Sequence, residues 1–95
     1  MKGTILIADD EQEIRESLSV VLEDEGYDCT TAEDGTEALE NIENANYDIL
    51  IADIKMPNLD GMELLEKTKQ ISPQTMSIII TAYATVETAV RALRS

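Results

Sequence analysis

Residues 47–61 read Tyr47-Asp48-Ile49-Leu50-Ile51-Ala52-Asp53-Ile54-Lys55-Met56-Pro57-Asn58-Leu59-Asp60-Gly61. The stretch begins as an apolar strand, Ile49 to Ala52, and stops on a carboxylate, Asp53. Beyond it Met56-Pro57 and Asp60-Gly61 are chain-breaking pairs that hold a loop open before the next helix. A lone acid at the end of a buried strand is either a loop or capping acid or a chemical group. The segments on either side bear on that choice.

Upstream, Thr4 to Ala8 is a short continuous apolar run, as expected of a strand buried on both faces, and it ends on Asp9-Asp10. From Glu11 to Glu25, Ile14, Leu18, Val21 and Leu22 form one helical stripe, leaving Glu13, Arg15, Glu16 and Glu23 mostly on the wet side. Asp10 stands where an N-cap would, and Gly26 where a helix ends. Tyr27 to Ala32 is a Thr-rich strand with weak alternation, and Asp34-Gly35 a turn. Thr36 to Ala45 is a second helix with Ala38, Leu39 and Ile42 inward.

Downstream of the central stretch, a helix from Gly61 to Ile71 is expected to bury Met62, Leu65 and Thr68, and Ser72-Pro73 stops it. Thr75 to Thr81 carries Ile78-Ile79-Ile80 and reads as a fourth strand. Val86, Ala89, Val90 and Leu93 stripe a fourth helix. The order βαβαβαβα implies a single α/β domain over residues 1–95. Its sheet is parallel, with right-handed crossovers and helices on both faces.

Composition narrows the function. Twenty acids against seven bases give a net charge of −13, which disfavours a nucleic-acid surface and suits cations or basic partners. An apolar share of 43% supports a core, which with 3% aromatics must be aliphatic. The single Cys29, alternating with Tyr27 and Thr31, reads as a packed strand residue in a reducing, cytoplasmic setting. No run approaches the roughly 18 apolar residues of a membrane span, and no signal peptide is read at Met1-Lys2. The absence of His removes the commonest general base and the usual zinc sites.

In a parallel α/β sheet, function sits at the carboxyl ends of the strands. Asp9 and Asp10 follow the first strand, Asp53 ends the third, and Thr81 ends the fourth. Gathered carboxylates repel, so such a fold binds a cation, shifts a pKa or leaves the acids spread in solvent. Mg²⁺ suits an all-oxygen site, and a carboxylate such as Asp53 can act as nucleophile on a phosphoryl group, with the Thr81 hydroxyl placed to bond a phosphoryl oxygen. No phosphate-cradling Gly motif is present, and Lys55 stands where a haloacid-dehalogenase site wants a second acid.

Three blocks, Ile5 to Glu11, Asp53 to Gly61 and Ile78 to Tyr83, together resemble the receiver domain of bacterial two-component response regulators over essentially the whole chain. The resemblance implies a flavodoxin-like doubly wound sheet with strand order 2-1-3-4. It also implies Asp53 as phosphoacceptor and Mg²⁺ held by Asp9, Asp10, Asp53 and the Lys55 backbone carbonyl. Thr81 would be the switch hydroxyl, and Ala82 would leave the phosphoryl group room to approach. The implied donor is a histidine on a separate sensor kinase, and no enzyme activity is implied beyond self-phosphorylation and dephosphorylation. Val86 to Leu93 resembles receivers attached to enhancer-binding transcriptional activators, which act through an output domain. Receivers have five strands and five helices, whereas this sequence carries four of each, without the fifth-strand lysine. The expectation is therefore a C-terminally incomplete domain, (βα)₄ of the usual (βα)₅. Its fourth-strand edge would favour self-association, and the alternative function is an inert, truncated fragment.

Overall fold

The computed structural model describes residues 2–80. Within them the chain runs β1 (Thr4–Ala8), α1 (Gln12–Asp24), β2 (Asp28–Ala32), α2 (Gly35–Asn44), β3 (Ile49–Asp53), α3 (Gly61–Ile71) and β4 (Met76–Ile80). The fourth helix, Thr81 and Ala82 lie outside the described residues.

All strand pairs are parallel, in the order β2-β1-β3-β4. Each strand alternates its side chains between two cores. Ile5 and Ile7 of β1 and Ile51 of β3 pack with Leu18 and Leu22 of α1 on one face. Leu6, Ala8, Leu50 and Ala52 pack with Ala38 and Ile42 of α2 and Leu64 of α3 on the other. With apolar residues on both faces, β1 and β3 had to read as continuous apolar runs, as they do. Edge strand β2 is exposed at Asp28, Thr30 and Thr31, which accounts for its weak alternation.

The helix ends follow local chemistry. Gly26, at φ 105°, closes α1 with Gly26 N–H donating to the Glu23 carbonyl and Tyr27 N–H to the Leu22 carbonyl. This pairing leaves few carbonyls orphaned and needs a left-handed residue at that position. Asp34 caps α2 by accepting from Glu37 N–H at 2.8 Å, and Asp60 caps α3 by accepting from Glu63 N–H at 2.9 Å.

Four sequence expectations are corrected. Asp10 is not the N-cap of α1: Glu11 holds that place without a side-chain cap, and Asp9 supplies the carboxylate that accepts its N–H. Gly35 is the first residue of α2 rather than part of a separate turn. Met62 is 51% exposed, while Leu64 is fully buried and Leu65 is half-buried. Gly61 sets this face, since Gly61, Leu64 and Thr68 share one side of α3, and an apolarity count gives a glycine no weight. Arg15, expected on the wet side, has a side chain only 13% exposed.

Candidate functional site

The β1–β3 register pairs Ala8 with Ala52, so the residues that follow, Asp9 and Asp53, stand side by side at the carboxyl ends of the two strands. Asp10 comes next in the β1–α1 connection. One carboxylate oxygen from each of Asp9, Asp10 and Asp53 falls within 4.8 Å of the others. The structure therefore brings together three of the residues singled out from sequence. Asp9 is buried, Asp53 half-buried and Asp10 exposed, which gives the cluster a floor and an open side.

Asp9 is tied down on every side but one. Its N–H donates to the Ala32 carbonyl at 3.2 Å, and its Oδ1 accepts from Glu11 N–H at 2.8 Å. Its carbonyl accepts from Arg15 Nη1, also at 2.8 Å. The other carboxylate oxygen, Oδ2, is buried and has no partner among the described residues. An anionic oxygen in that condition is costly unless it is protonated or meets a cation. Accordingly, burial pushes the Asp9 carboxyl up to about 6; the Glu11 N–H draws it down, and the charges of Asp53 and Asp10 push it further up. Asp53 is raised in the same direction, by burial first, against the lowering effect of the Lys55 backbone N–H.

The far wall is the loop from Ile54 to Asp60. Its base is closed by Gly61 N–H donating to the Ile54 carbonyl at 2.9 Å, while Ile54 N–H donates to Ile80 at the end of β4. A Cβ on Gly61 would lie 2.2 Å from the Asp53 carbonyl oxygen, so only glycine lets α3 start this close to the strand end. At the loop tip Asn58 adopts φ 72°, which its short polar side chain tolerates, and Leu59 N–H donates to the Pro57 carbonyl at 2.8 Å. Asn58 Nδ2 reaches Asp34 Oδ2 at 3.3 Å, and a Cβ on Gly35 would meet the Leu59 carbonyl oxygen at 1.9 Å. The loop thus rests against the start of α2. Lys55 is exposed on it, and Met56 turns inward to the core.

Chemically, the cluster is an all-oxygen donor set that includes a buried oxygen without a partner among the described residues, which fits a hard divalent cation. The neighbouring Asp53 is a carboxylate nucleophile candidate beside it. Cys29 takes no part. It packs against the α1-side core, and burial pushes its thiol up to about 11, so it is an inert strand residue, as its alternation implied. Sequence reasoning missed Arg15 and the two glycines Gly35 and Gly61. Arg15 is positioned one helical turn beyond Glu11, on the side of α1 that meets the strand end. Among the described residues no helix is long and apolar enough to cross a membrane.

Comparison with known proteins agrees with this geometry. The family model described as the response regulator receiver domain matches residues 5–95. The chain is 40% identical over 91 residues to the DNA-binding transcriptional regulator NtrC of Escherichia coli K12, covering 96% of this chain but only 19% of that protein. Among solved structures, a CheY-like receiver domain protein from Methanospirillum hungatei JF-1 matches with TM-score 0.82 and 40% identity, over 96% of this chain and 73% of that one. The response regulator TrrA of Thermotoga maritima, crystallised in complex with Mg(2+)-BeF, matches with TM-score 0.80 and 42% identity, over 85% and 70%. The parallel sheet in the order 2-1-3-4, the acid cluster at its carboxyl edge and these matches lead to one conclusion: the chain belongs to the receiver domain family of two-component response regulators.

Proposed function

We propose that Asp53 accepts a phosphoryl group from a histidine of a separate sensor kinase, in a reaction that requires Mg²⁺, and that the acylphosphate changes the state of an output domain. The observation that carries this reading is the buried, unpartnered Oδ2 of Asp9 within a cluster that also holds Asp10 and Asp53. Asp9, Asp10, Asp53 and the Lys55 carbonyl would hold the ion. When bound, Mg²⁺ would offset the charge of the carboxylates and of the incoming phosphoryl oxygens. A carboxylate oxygen of Asp53 attacks phosphorus, the phosphorus–nitrogen bond to the donor histidine breaks, and the electron pair leaves with the imidazole. Later attack by water returns the carboxylate and inorganic phosphate. Thr81 and Ala82 carry the switch hydroxyl and the approach space in this reading.

The Mg(2+)-BeF complex of TrrA supports the assignment by likeness, as does similarity to NtrC for an output domain of the transcriptional-activator type. A cytoplasmic setting follows from the same reading. The test is to incubate the protein with a small-molecule phosphodonor and Mg²⁺ and follow its intact mass. A single phosphoryl adduct is expected on the unaltered protein and none on Asp53→Asn. An undiminished adduct on Asp53→Asn would end the proposal.

A second reading, an inert chain that self-associates along β4, has one observation behind it. β4 is the outermost described strand beside β3, and its Met76 is 58% exposed. Sedimentation showing a monomer at high concentration removes that reading.

A further inference from the structure

We infer that Arg15 is a positioning residue for cation binding, acting through the Asp9 backbone rather than through its own charge. The inference rests on the proposed Mg²⁺ site and concerns what aims its buried, unpartnered oxygen, Oδ2 of Asp9. The other described bases, Lys2, Lys55, Lys67 and Lys69, are all exposed, whereas the Arg15 side chain is 13% exposed. Its Nη1 donates to the Asp9 carbonyl at 2.8 Å, and its Nη2 lies 3.9 Å from Glu33 Oε1 beyond the end of β2. A guanidinium offers a planar fork that holds a direction, unlike the rotating point charge of an ammonium.

The geometry divides the work at Asp9. Glu11 N–H fixes Oδ1, Ala32 accepts from the Asp9 N–H, and Arg15 fixes the carbonyl; with three of its polar groups anchored, Oδ2 has its direction set. Without Arg15 the peptide between Asp9 and Asp10 loses its anchor, and both carboxylates that precede α1 lose definition together. Partners that orient metal ligands in this way typically change affinity by roughly 10–100-fold. The opposite effect is also present, because a cation this close to the acids repels an incoming ion. The short direct bond to the ligand's own backbone, against a guanidinium aimed at carbonyl and Glu33 rather than into the cluster, favours positioning.

The experiment is a Mg²⁺ titration of the whole protein, followed by the amide NMR signals of Asp9 and Asp10, on Arg15→Met and Arg15→Lys. Arg15 lines an open groove of about 450 Å³ with Gln12, Glu16, Ser19, Val20 and Thr31, so truncation leaves no sealed void. Positioning predicts that Arg15→Met weakens Mg²⁺ binding about tenfold, the low end of that range. Arg15→Lys, which keeps N–H donors but has no planar fork, should restore part of the loss. Glu33→Gln, which removes only the outer ion pair, should bind as the unaltered protein does. Arg15→Met binding Mg²⁺ as tightly as the unaltered protein, or more tightly, overturns the inference. If Arg15→Met unfolds, Arg15→Lys decides alone: affinity equal to that of the unaltered protein means that the guanidinium fork does not aim the site, and the inference fails. No saturable response in the unaltered protein would instead end the Mg²⁺ reading itself.

Discussion

Gly61 sits against the Asp53 carbonyl so closely that a single added carbon would come within 2.2 Å of that oxygen. The helix that follows the candidate phosphoacceptor is therefore seated directly on the strand that carries it. Gly61→Ala must push the strand end and α3 apart, because the obstacle is backbone. Overpacking of this kind costs roughly 1–3 kcal/mol. We expect denaturant unfolding to register that loss and Mg²⁺ affinity to fall with it, since Asp53 shifts.

Stability should depend on pH through Asp9. Its carboxyl binds a proton more tightly in the folded chain than in the unfolded one, so stability falls as pH rises from the ordinary carboxylate range through about 6. Below that range both states are protonated and the effect vanishes; above about 6 the loss is complete, roughly 3 kcal/mol. Denaturant midpoints measured from pH 4 to 8 without divalent ions should follow this trend, and Asp9→Asn should flatten it.

Mg²⁺ should reverse that penalty. An ion bound only by the folded state, at about 100 times its dissociation constant, adds roughly 2.7 kcal/mol. The stabilisation should shrink as pH drops through about 6, where Asp9 holds a proton instead. Thermal unfolding with and without Mg²⁺ at two pH values checks this. Asp10→Asn, which removes one of the three clustered carboxylates, should abolish the response.

The buried face of α3 can be read by paired truncations. Leu64→Ala, at a fully buried site, should cost about 2–5 kcal/mol, whereas Met62→Ala should change stability by no more than about 0.5 kcal/mol. Equal losses would mean that α3 is turned differently on the sheet.

Asp34 makes two contacts with separate oxygens, one capping α2 and one holding Asn58. Asp34→Ala should cost about 1 kcal/mol for the cap, as should Asp60→Ala. Only Asp34→Ala should also show coupling with Asn58→Ala in a double-mutant cycle.

Most of the scaffold could be read from residue order, because strands buried on both faces leave continuous apolar runs such as Ile5 to Ala8 and Ile49 to Ala52. The acids could be read as a group for the same reason, since parallel strands end on one edge. What escaped was set by tertiary contact. Met62 reads as core by its apolarity, but the tight seat of Gly61 turns the opposite side of α3 onto the sheet. A charge such as that of Arg15 reads as solvated, and its bond to the Asp9 carbonyl, a tertiary contact, is what draws it inside. The capping role went to Glu11 rather than Asp10 because Asp9 had already turned to take the first free N–H. The roles read for Thr81 and Ala82 fall outside the described residues.

The sandwiching of β1 and β3 between two cores has a kinetic meaning. Their amides are covered above and below and bonded on both flanks, whereas the loop bearing Lys55 is open to water. Hydrogen exchange should be slowest at residues such as Leu6 and Ile51 and fastest around Lys55 and Asn58. The acids stand on the boundary between those two regimes. A phosphoryl group arriving there would meet an unyielding foundation and a compliant rim, so displacement would run outward along the surface rather than down into the sheet.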